Sequence, residues 1–194
     1  MAISRFKTST LAQGLPKYQD VWDGLTEVND NSYESIATAT VGSGGASFVE
    51  FTSIPQTYKH LEIRSSNFAT SASWTVVALN SDTSTSSYAH HRLGTEGAGG
   101  IVSSNISNSA TNYFFTSYAH TGASIINILN YSDTTRNKTI RGLHAHRSES
   151  STDGEVNFMA HLWMNTSAVT SIKISLPSVT FQQHTTFALY GIKE

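Results

Sequence analysis

A single all-β domain of the sandwich or barrel kind is the fold class this sequence predicts, and three observations carry it. Short segments with apolar residues at every second position recur from residue 33 almost to the C-terminus, separated by clusters of Gly, Pro, Asn and Ser. That is the period and the punctuation of sheets with one dry face. Ser and Thr form roughly a quarter of the chain while Leu, Lys and Glu are scarce, which favours strands and turns over helices. No interval repeats its apolar residues at the 3.6 spacing of an amphipathic helix. With 194 residues the chain is long enough for one good core.

The first thirty or so residues stand apart. Residues 1 to 17 carry Arg5, Lys7 and Lys17 with no acid, and the sign reverses at Asp20, Asp23, Glu27, Asp30 and Glu34. Gly14 and Pro16 break any helix begun at Ser9. Disordered tails are poor in aromatics, yet Phe6, Tyr18 and Trp22 are here. The expectation is an extended N-terminal arm, residues 1–32, that orders on a partner through Arg5, Phe6, Lys7, Leu11, Tyr18 and Trp22. Residues 33–194 then form the β-domain.

Strands follow in succession. Tyr33 to Val41 alternates, and Gly42 to Gly45 is a turn. Phe48, Val49 and Phe51 make a short apolar run that Ser53-Ile54-Pro55 stops, because proline offers no N–H to a ladder. Tyr58 to Arg64 resumes the alternation, with Leu61 and Ile63 on one face and His60, Glu62 and Arg64 on the other. These two segments are expected to form a hairpin. Ser73–Asn80 and Tyr88–Leu93 are the next strands, and Gly94 to Ala110, rich in Gly, Ser and Asn, reads as a long surface excursion. Six further strands are predicted, at 113–118, 123–131, 138–146, 156–164, 171–176 and 185–192. The total is ten or eleven.

Composition excludes several functions. A net charge of −2 with 13% charged residues gives no basic surface for nucleic acid or anionic membrane. Without cysteine there is no disulfide frame, thiolate nucleophile or thiolate metal site. No window approaches the ~20 apolar residues of a membrane-spanning helix. The opening Met-Ala-Ile-Ser-Arg-Phe-Lys has no apolar signal core, so synthesis in a cytoplasm without an export address is expected.

The remaining motifs offer little chemistry. His144 and His146 share a strand face with His161 on a nearby strand, an arrangement that invites a metal. The simpler reading, polar residues facing outward, is preferred, and no metal or other cofactor is expected. His90 and His91 point to opposite faces. Glu50 and Glu62 are candidates for a carboxylate pair but read better as solvated or salt-bridged strand residues. There is no Gly-x-Ser-x-Gly elbow, and the glycines of 94–100 precede no helix that would bind phosphate. Trp74, Tyr88 and Trp163 suit sugar stacking, but on alternating strands such rings are more often core. Lys59, Glu62, Arg64, Arg141 and Lys173 are candidates for blunting sheet edges.

Five segments carry a resemblance. Tyr33-Glu-Ser-Ile-Ala-Thr, Ser53-Ile-Pro-Gln-Thr-Tyr-Lys-His-Leu-Glu-Ile-Arg64, Asn137-Lys-Thr-Ile-Arg141, Trp163 to Ile172 and Thr186-Phe-Ala-Leu-Tyr-Gly-Ile-Lys193 resemble, in order, small structural proteins of tailed bacteriophages. Phe6 to Tyr18 is also similar to the start of such proteins. The resemblance implies a jelly-roll β-sandwich in a virion, made in the host bacterial cytoplasm, and it brings no catalytic residues. The function it points to is a capsid cement or decoration protein. Such a protein would be a trimer that clips onto the major capsid protein through its arm. A tail or fibre module binding a host receptor or glycan is the alternative. An enzyme is not expected.

Overall fold

The computed structural model describes residues 32–96, 101–107, 113–117, 119, 122–147 and 154–193. Twelve strands run through them: β1 (Tyr33–Thr40), β2 (Phe48–Phe51), β3 (His60–Asn67), β4 (Ser73–Leu79), β5 (Tyr88–Glu96), β6 (Ile101–Ser107), β7 (Tyr113–Ser117), β8 (Gly122–Leu129), β9 (Lys138–Arg147), β10 (Gly154–Trp163), β11 (Ile172–Ser175) and β12 (Thr186–Ile192). The helical content among the described residues is one 3-10 turn, Thr85–Ser87. The fold is all-β. Residues 1–31, and with them nearly all of the expected arm and its six contact residues, lie outside the described residues.

The strands form two antiparallel sheets. One has eight strands in the order β1-β12-β3-β8-β9-β10-β5-β6, the other four in the order β2-β11-β4-β7. Their inner faces share one core. Leu61, Ile63, Ile126, Ile128, Ile140, Phe187 and Leu189 come from the large sheet, and Val49, Phe51, Val77, Leu79, Ile172 and Ile174 from the small one. Each is at a second position along its strand, so alternation alone places it inward. Burying such a side chain contributes roughly 1.5–3 kcal/mol each, and this burial is what holds the sheets together.

Two expected features are corrected. Phe48–Phe51 and His60–Asn67 do not pair; β2 joins β11 in the small sheet and β3 lies between β12 and β8 in the large one. The Pro55 segment therefore crosses between sheets, and Tyr131 fixes it by donating its hydroxyl proton to the Pro55 carbonyl. The supposed excursion at 94–110 is also different. β5 continues to Glu96, and residues 101–107 return beside it as β6, in register from Ala89↔Ser107 to Thr95↔Ile101. Backbone pairing, indifferent to the Ser and Asn side chains, holds this strand.

Polar anchors close the ends. Asn80, at φ +50°, donates to the Ala168 carbonyl at 2.8 Å and accepts from the Thr170 and Ser171 amides at 2.8 and 3.2 Å. Lys138 is fully buried, and its ammonium donates to the carbonyls of Asp133, Arg136 and Thr166. Trp163 donates its indole proton to Asp82 at 2.8 Å, and the Tyr88 hydroxyl donates to the Asp82 carbonyl at 3.1 Å while accepting from the Leu79 amide. Both rings are core, so neither is available to stack on a sugar.

Candidate functional site

Two features of the large sheet go beyond what a packed core requires, one on each face. The outer face holds an uncovered apolar stripe. Register aligns Ile125 with Leu143, Leu143 with Phe158 and Phe158 with Leu93, so one row of large apolar side chains crosses four neighbouring strands. All four are exposed. The next row, Ala123, Ala145, Val156 and Thr95, ends on Ile101 of β6, and Val156 and Ile101 are exposed too. Neither row contains a charge. Of the nine large apolar residues exposed among the described positions, six belong to these two rows. Scattered exposed apolar residues mean little, whereas a contiguous patch marks an interaction site.

Polar groups bound the stripe on its β3 side. Arg64 lies directly opposite Ile125, donates through Nε to Glu62 at 2.7 Å, and sits over the rings of Tyr33 and Tyr190 at 5.3 and 5.1 Å. Glu62 also accepts from Asn127 Nδ2 at 2.7 Å. This network ties four strands, β1, β12, β3 and β8. Glu62 is thus engaged on the outer face of the large sheet, while Glu50 stands opposite Lys173 in the small sheet. They form no carboxylate pair. Glu62, Arg64, Arg141 and Lys173 sit on interior strands of their sheets, so edge protection is not their role.

The inner face beneath the β7 end is polar where a core is usually apolar. His90, His144, His146 and His161 are buried there, with Arg92, Glu155 and Asn157. The expectation that His144, His146 and His161 face outward is corrected: register points them at the small sheet. His90 is buried and His91 exposed, as alternation requires. Arg92 donates through Nε to Asn157 Oδ1 at 2.8 Å, Asn157 donates to Glu155 at 2.7 Å, and Trp74 covers the guanidinium at 5.4 Å. Gly94 makes room for this network, since a Cβ there would collide with Asn157 Oδ1.

A bulge explains how the histidines are covered. Between Thr75 and Val76 the β4–β7 register slips by one residue, and both Phe114 and Phe115 turn inward. Phe114 stacks on His161 at 3.7 Å and Phe115 on His144 at 4.8 Å. Burial, together with the neighbouring His90 imidazole, pushes the His161 pKa down to about 3, so this ring is neutral at physiological pH. Among the described residues, no group of three or more His, Asp or Glu is disposed to hold a metal ion, and the imidazoles are spread over three strands instead of converging on a point.

Alternation along β5, β8, β9 and β10 is readable in the sequence, but the stripe is not. Alternation assigns each of its residues to a strand without saying which strands are neighbours, and only register turns four separate apolar residues into one row. No helix among the described residues is long and apolar enough to cross a membrane. Comparison of the chain with protein-family models, with curated proteins and with solved structures finds no match.

Proposed function

We propose that this chain is a structural protein of a tailed-bacteriophage virion: a capsid cement or decoration protein that binds the major capsid protein through residues 1–32 and stabilises the head lattice. The observation that carries the reading is the uncharged, uncovered stripe on the large sheet, a surface made for standing contact with a protein. The jelly-roll reading is supported by the strand order. β1, β12, β3 and β8 lie together in one sheet and β2, β11, β4 and β7 in the other, as a chain wound alternately between two sheets would leave them. β9, β10, β5 and β6 widen the first sheet, and with β8 they form the outer face that bears the stripe. The segment resemblance and the aromatic residues of the first 22 positions support the arm. Repeated identical contacts at a symmetric lattice let weak individual contacts add through avidity.

Quantitative mass spectrometry of purified particles of the phage that encodes the chain tests this. On the order of hundreds of copies per particle is the expected result, as a lattice-wide contact demands. A handful to a few dozen copies would favour the tail or fibre module, and none would end the virion reading.

A further inference from the structure

We infer that the stripe Ile125–Leu143–Phe158–Leu93 is the contact between copies of this chain, so that the large sheets of two molecules pack outer face to outer face. The inference deepens the assembly role proposed above by naming the surface and its occupant, and it is tested without any particle.

Three observations select a second copy. The first is area. From their fractional exposures, among them 55% for Phe158 and 78% for Ile101, the six exposed apolar side chains present on the order of 600 Å², the upper end of what a monomer leaves uncovered. With the alanines and the flanking polar row, the face approaches the ~800 Å² per partner of a standard interface. The second is shape. The stripe crosses four hydrogen-bonded strands, and the natural cover for a broad sheet face is another sheet about 10 Å away with interdigitating side chains. The third is symmetry. A two-fold axis parallel to the strands, between Leu143 and Phe158, sets Leu143 against the partner's Phe158 and Ile125 against the partner's Leu93. The row then covers itself, as an isologous contact must. Neither apolar row brings like charges together, and the arginines Arg64 and Arg141 lie at its rim.

Sedimentation equilibrium of the full chain is the test. At up to about 100 μM, a range that still populates a weak standard-size interface, the mass should be twice that of the 21.0 kDa chain, and a trimer would contradict the two-fold contact. Leu143→Asp and Phe158→Asp should each weaken association at least ~100-fold, because a symmetric contact buries the unpaired carboxylate twice. Both positions are exposed in the single chain, so circular dichroism should be unchanged, while Tm should lose the concentration dependence that association gives the wild type. Because the chain has no cysteine, Phe158→Cys gives a single thiol that a short bis-maleimide should link to a second copy. Ser178→Cys, on an exposed loop, should stay unlinked. A monomeric wild-type chain overturns the inference, as do Asp variants that remain associated. So does a monomeric Phe158→Cys variant whose thiol is shielded from maleimide relative to that of Ser178→Cys, for then a segment of the same chain is the cover. A monomer found in hundreds of copies on particles would sink this contact and leave the virion reading standing; an associated chain absent from particles would do the reverse.

Discussion

Lys138 shows how one side chain can hold two loops. Its ammonium is the shared donor for the carbonyls of residues 133, 136 and 166, and burial pushes its pKa below the usual lysine value. Lys138→Met keeps the apolar stem and removes the donor, leaving three inward-facing carbonyls without it. The expected loss is about 2–4 kcal/mol, read as a lower urea midpoint; a loss under about 1 kcal/mol would mean that water replaces the ammonium. His161 supplies the pH dependence. Its folded pKa of about 3 lies below the ordinary value near 6.5, so the unfolded chain binds the proton more readily between those limits. Stability is therefore fully present above about pH 6.5 and falls as pH drops through the window, by up to about 1.4 kcal/mol per pH unit from this group. His161→Phe, which preserves the stack on Phe114, should flatten the slope of stability against pH between about 4 and 6.5. An unchanged slope would show that the ring is protonated in the folded protein.

Strands are largely legible in the sequence because each needs only its own alternation. Leu61 and Ile63 inward with Glu62 and Arg64 on the opposite face is readable from seven residues, and the structure keeps those faces, although Tyr33, Arg64 and Asn127 bury Glu62 on its side. β6 is not legible. Its residues, Ile-Val-Ser-Ser-Asn-Ile-Ser, are mostly polar, and pairing with β5 makes the strand. The inward turn of both Phe114 and Phe115 is hidden too, since alternation sends only one of two consecutive residues inward and a bulge is a property of the pair of strands. Crossovers have the same cause: proximity in sequence suggests a β2–β3 hairpin, whereas the partner of β2 is more than a hundred residues away. Gly94 is an element-scale case, because it lets β5 approach the Asn157 side chain of β10. In Gly94→Ala the added methyl would meet Asn157 Oδ1 and the Val156 carbonyl. The Arg92–Asn157 bond should break at a cost of about 1–3 kcal/mol, measured by thermal denaturation. A Tm equal to wild type would show that the strands separate there without penalty.

The whole molecule joins a core of ordinary apolar packing to one sheet that is wider than that core needs. Strands β5, β9 and β10 carry buried polar groups on their inner face, and with β8 they carry the apolar stripe on the outer one, a reversal of the usual pattern. The arm and the stripe divide the labour in the proposed role: residues 1–32 attach, and the sheet presents the shape. Attachment itself is the most direct measurement. The purified full chain, added to particles stripped of it and sedimented, should pellet at saturating stoichiometry, and a variant lacking residues 1–30 should stay in the supernatant while keeping the β-sheet circular dichroism of the intact protein. A full chain that never pellets with particles, or a truncated one that pellets as well as the whole, would contradict the account.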